Sequence, residues 1–208
     1  MKERTSQHLF AYWNTVRGDR VAPRRFEIEP SRIAGVLPET FILEREARGD
    51  FRFRLAGTRI CEQFGREFRG ANLLDLFAVS DRETIAALLE TTVSEGAVGI
   101  VVFGGTDTLE RSAEFEMILL GLVHSGEVIS RILGAISIAA PPAWLGSMPL
   151  TALQVRSTSV VWPDGRRHSI IEHYDHKSPF MRPAQVPAKI HRIKRRTFRV
   201  YNGGMSGD

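Results

Sequence analysis

The order in which hydrophobic periodicity changes along this chain constrains its fold more than any single motif. TFILERE at 40–46 reads as a strand with Phe41 and Leu43 on one face. FRFRL at 51–55 alternates strictly, with Phe51, Phe53 and Leu55 on one side. Gly49–Asp50 between them is a tight-turn signal, so the two runs form a hairpin. The period then lengthens. Ile60, Cys61 and Phe64 share one face of a short helix that Gly65 stops, and Leu73, Leu74, Leu76 and Phe77 point inward from a turn and short helix. Ser80 and Glu83 form a capping box for a helix running to Ser94, with Ile85, Leu88, Leu89 and Val93 at helical spacing and Gly96 as C-cap. After Gly96 alternation returns in GIVVFGG, AEFEMILLGL and VISRILGAISIA. Two strands, a helical middle and three strands predict an α+β domain with a five-stranded antiparallel sheet and helices on one face.

Flanking segments complete the expected organisation. Residues 5–17 carry Leu9, Tyr12, Trp13 and Val16 at the spacing of an amphipathic helix, so residues 1–35 read as that helix and a linker. Residues 36–146 hold the domain, and 147–208 form a C-terminal extension with a basic tail. Charge follows the same division. Residues 151–208 contain 11 of the 28 Lys+Arg and 4 of the 24 Asp+Glu, against 17 and 20 in the rest of the chain. A mildly acidic body with a basic tail is an asymmetry suited to acidic partners.

Composition excludes several classes. The lone Cys61 rules out an intramolecular disulfide and any structural zinc site built on several thiolates, and fits a reducing, cytoplasmic compartment. MKERTSQ is charged from its first residues and lacks the apolar core of a signal peptide, and no stretch reaches the ~20 apolar residues of a membrane helix. No phosphate-cradling loop, HExxH, CxxC or GxSxG occurs. The expected protein is therefore not an enzyme.

Three segments carry a resemblance: WNTVRGDRVAPRRFEIEP, LAGTRICEQFGREFRGANLLDLF and RILGAISIAAPPAWLG, joined by RRTFRVYNGG near the C-terminus. With the element order they make the chain similar to single-domain PAS proteins of the alphaproteobacterial type. The resemblance implies a sensory or regulatory module of bacterial signal transduction that works through a signalling protein partner. Family members of this type lack an attached kinase or cyclase. A ligand-binding PAS cavity is the alternative, and its candidate lining is Phe53, Leu55, Cys61, Phe64, Phe115, Met117, Leu119 and Ile136. Phe and Met at strand spacing are also what an ordinary core contains, so no cofactor is expected. RICEQFG departs from the cysteine motif of flavin-binding photosensory relatives, which leaves Cys61 as core packing. His8 and His124 sit at surface or turn positions unsuited to an axial haem ligand. His173 and His176 look ligand-like but lie in a polar stretch, so no metal is expected.

Two flanking features point to partners. Phe10, Tyr12 and Trp13 on the N-terminal helix must bury their stripe either on the chain's own sheet or on a second subunit, and homodimerisation is the preferred reading. Lys189, Arg192, Lys194, Arg195, Arg196 and Arg199 make a basic cluster that attracts anionic surfaces. No nucleic-acid reading module accompanies it, which disfavours nucleic acid.

Overall fold

A computed structural model describes residues 1–163; the basic tail and the histidines beyond Pro163 lie outside the described residues. The chain opens with α1 (Arg4–Arg17), followed by 3-10 turns at Arg25–Glu27, Pro30–Ile33 and Leu37–Glu39. The hairpin of β1 (Thr40–Ala47) and β2 (Asp50–Ala56) comes next. Then follow α2 (Thr58–Phe64), a 3-10 turn at Leu73–Leu76 and α3 (Val79–Glu95). The chain returns to the sheet through β3 (Val98–Thr106), β4 (Ser112–Val123), β5 (Ile129–Ser137) and β6 (Ala152–Val161). Helix ends fall where the glycines put them: Gly65 and Gly96 take left-handed φ of 63° and 70° as the C-caps of α2 and α3.

The sheet has six strands in the order β2-β1-β5-β4-β3-β6, and every paired neighbour is antiparallel. The sixth strand corrects the expected five. Residues 152–161 were expected in the extension, yet they pair with β3 from Ala152↔Thr106 to Val161↔Val98. A bulge at Arg156 interrupts this pairing: Val155 faces Phe103 and Ser157 faces Val102, leaving Arg156 without an opposite residue.

The helices of the domain cover one face of the sheet, as expected, and the N-terminal helix covers the other. α2, α3 and the Leu73–Leu76 turn pack on what we term the inner face, around Phe53, Phe103, Phe115, Met117 and Leu119. α1 and the turn at Pro30–Ile33 pack on the outer face, around Ile42, Ile118, Leu120, Leu122 and Leu133. β4 makes the reason plain, since Phe115, Met117 and Leu119 alternate with Ile118, Leu120 and Leu122 and all six are buried. A strand apolar on both faces needs a cover on each.

α3 begins at Val79, one residue before the expected cap, and Ser80 makes no capping bond to the helix backbone. Asp81 is used differently from an N-terminal acid facing water: its carboxylate accepts a hydrogen bond from the Val155 amide at 2.8 Å, tying the helix start to β6.

Candidate functional site

Two layers could hold a site, one on each face. In the inner layer, six of the eight candidate pocket residues, Phe53, Phe64, Phe115, Met117, Leu119 and Ile136, are buried in one core cluster. Seven phenylalanines form a continuous chain of ring contacts, Phe41–Phe53–Phe68–Phe64–Phe115–Phe103–Phe77, with successive centroids 5.1–5.6 Å apart. Rings at that spacing are in direct packing contact, and each such pair adds about 0.5–1.5 kcal/mol beyond its buried area.

Leu55 is a correction. It is 45% exposed and faces the outer layer, opposite Ile42 and not beside Phe53. The register passes from Leu43↔Phe53 to Ile42↔Leu55, so Arg54 is an extra residue in β2 and everything after it changes face. Arg54 is held in the bulge by ion pairs to Glu44 and Glu46. Arg131 reaches Glu44 from β5 as well, at 3.3 Å. Burial alone would raise the Glu44 carboxyl, but hydrogen bonds from Arg54 and Arg131 outweigh it and hold Glu44 below the usual range.

Cys61 lies at the margin of the inner cluster, half-buried, with its Sγ 3.8 Å from Glu67 Oε2. Burial and then the Glu67 charge push this thiol up, away from the thiolate that nucleophilic or adduct chemistry requires. His8 and His124 are both exposed; His8 lies at a shallow surface depression with Tyr12, Val16, Glu27 and Glu29. Among the described residues no group of three His, Cys, Asp or Glu side chains is placed to hold a metal.

On the outer face the aromatic residues of α1 are used within the chain. Trp13 is fully buried against β4, and its Nε1 donates to the Gly121 carbonyl at 2.8 Å. The Arg17 guanidinium lies over the Trp13 ring at 5.6 Å and donates to the Pro163 carbonyl. Tyr12 accepts a hydrogen bond from the Glu29 amide at 2.7 Å, and Phe10 stacks at 6.3 Å from Trp13. Of the three residues expected at an intersubunit surface, Trp13 is buried on the chain's own sheet, while Phe10 and Tyr12 are half-buried beside it. Glu116, itself buried, accepts from the amides of Lys2 and Glu3 and so anchors the two residues that lead into α1.

Beside α1 the outer face retains an apolar groove of about 390 Å³ between the N-terminal turns and β1–β2. Ile28, Ile33, Leu37, Ile42, Leu55 and Leu133 line it, with Arg25 and Thr58 among its few polar neighbours. Sequence reasoning missed this groove because it depends on the Arg54 bulge. The second polar cluster of note is a latch on the β3–β4 loop. Buried Asp107 accepts from the amides of Leu109 and Arg111 and from Arg111 Nε at 2.8 Å, while Arg111 stacks over Trp144 at 4.8 Å. It fixes the β3–β4 loop.

An antiparallel sheet with a helical cluster inserted between strand two and strand three is an α+β architecture. Residues 1–137 match the family described as PAS domain, and the chain belongs to that family. Among solved structures, the chain is similar to the PAS domain of a protein from Colwellia psychrerythraea, at 11% identity and a TM-score of 0.40, over 52% of this chain and 94% of that one. No curated protein matches the sequence. Among the described residues no helix is long and apolar enough to cross a membrane.

Proposed function

We propose that this chain is a non-enzymatic PAS regulator that acts through protein–protein contacts. Family membership supports a signalling or sensory role. The observation that favours contacts over an enclosed ligand is the unbroken run of seven phenylalanine rings through the inner layer, where a PAS cavity would open. Catalysis would need a nucleophile or acid–base pair facing a cleft. Cys61 is instead held as a thiol, and the Glu44 and Asp107 carboxylates are engaged by arginines. The basic cluster from Lys189 to Arg199 supports an acidic signalling protein as the partner.

A second reading, small-molecule sensing, draws support from the outer groove, whose volume and apolar lining suit a small hydrophobic ligand. Two measurements on the purified full chain separate them. Mass spectrometry of a denatured extract, with an absorption spectrum, should find no stoichiometric small molecule, and a haem, flavin or lipid would overturn the contact reading. Capture of an acidic protein from lysate that is lost on deleting residues 186–208 is the supporting outcome.

A further inference from the structure

Both lateral edges of the sheet leave backbone donors and acceptors that need partners, and the two are treated differently. At β2 the segment after α2 lies alongside the strand: Phe53 donates to the Ala71 carbonyl at 3.0 Å and Gly70 donates to the Phe53 carbonyl at 2.8 Å. At β6 only the first half is covered among the described residues. Ala78 donates to the Leu153 carbonyl at 2.9 Å and the Val155 amide donates to Asp81. Past the Arg156 bulge the strand continues as Ser157, Thr158, Ser159, Val160 and Val161, five uncharged residues, three of them β-branched.

The direction of each backbone group follows from the register. Leu153 and Val155 turn their backbone groups away from β3, and they stand opposite Gly105 and Phe103. β3 itself runs without a break, so Val101 and Gly99 belong to the same alternate set. Their partners are Thr158 and Val160, whose amides and carbonyls therefore also face away from β3. No described residue hydrogen-bonds to them. Natural sheets blunt such an edge with charge, proline or a cover. This stretch has no charge, no proline and no described cover.

We propose that the outer half of β6 is a homodimer seam, pairing antiparallel with the same strand of a second copy about a twofold axis at Ser159. The sequence is self-complementary in that register. Thr158 stands opposite the second copy's Val160, each such pair exchanging two backbone hydrogen bonds, and Ser159 faces its own equivalent. The Arg156 residues of the two copies lie about 20 Å apart along the seam, so no like charges meet. Thr158 and Val160 keep their side chains on the inner face, where Val160 already packs against the core, while Ser159 is exposed. The seam thus uses backbone groups that no described residue engages, and it is independent of Trp13, which the chain buries on its own sheet.

Sedimentation of the full chain over a concentration series tests this, and the wild type should form a concentration-dependent dimer. Ser159→Lys and Ser159→Glu each place like charges face to face at the axis and should weaken association about tenfold or more, with an unchanged far-UV spectrum. Mixing the two variants should restore a heterodimer. A monomeric wild type, a dimer indifferent to either substitution, or a mixture that fails to associate would each overturn the proposal. Hydrogen exchange at the Thr158 and Val160 amides is a readout that needs no variant. Protection should fall on dilution, and protection that persists in the monomer would mean the chain covers its own edge and the seam does not exist.

Discussion

Trp13 combines two interactions that respond differently to substitution. Its ring is fully buried among outer-face residues, and its indole nitrogen pairs with Gly121. Trp13→Ala removes both and leaves a cavity, so unfolding by urea should register a loss of about 3–5 kcal/mol. Because the ring faces its own sheet, the same substitution should leave the oligomeric state unchanged in sedimentation. Asp107 makes a different prediction, in pH. Burial would raise its carboxyl, but hydrogen bonds from Arg111 and Leu109 outweigh that and hold it below the ordinary range. A carboxyl depressed in the folded state contributes stability that is complete above its unfolded value of about 3.9 and is lost as pH falls through the lower folded one. Asp107→Asn should therefore flatten the acid limb of the stability–pH curve, and a limb of unchanged steepness would contradict the role given to the latch.

At the level of elements, the Arg54 bulge decides what β2 can do. Phe53 is fully buried and Leu55 is 45% exposed although they are two residues apart. Phe53→Ala should cost about 3–5 kcal/mol and Leu55→Ser no more than about 0.5 kcal/mol, measured side by side by denaturant titration. Equal costs would mean the strand alternates without a bulge. This contrast marks how far the sequence could be read. Hairpin, helical middle and meander were legible because each announces itself in its own period, and Gly65 and Gly96 closed α2 and α3 where expected. FRFRL alternates perfectly, and nothing local says that Arg54 will be spent on two glutamates across the hairpin. RSTSVV around Arg156 suffered the reverse, since a bulge in mid-strand erases the alternation that would have revealed β6. The stripe on α1 was visible, but a stripe states only that a helix needs a cover. What lay beneath it was set by β4, a hundred residues on.

For the whole molecule, a sheet buried on both faces makes β6 structural and not an appendage. Ending the chain at residue 146 would uncover the full length of β3, including Val98, Ile100 and Val101, and remove Leu153 from the inner cluster. The truncated protein should aggregate, with light scattering rising on concentration, whereas a soluble monomer of wild-type stability would show that β6 is dispensable. The pairing of β1 with β5 carries a consequence in time. Thr40 meets Ala135 and Glu44 meets Arg131 in the middle of the sheet, so the hairpin's inner strand has no neighbour on that side until nearly all of the meander exists. At about 5–20 residues per second on the ribosome, β1 emerges some 5–20 s before the strand that will sit beside it. Until then the hairpin has the helices and the first strands of the meander near it but no strand beside β1 on that side. The N-terminal half of the protein must wait, half-assembled, for a strand encoded ninety residues downstream.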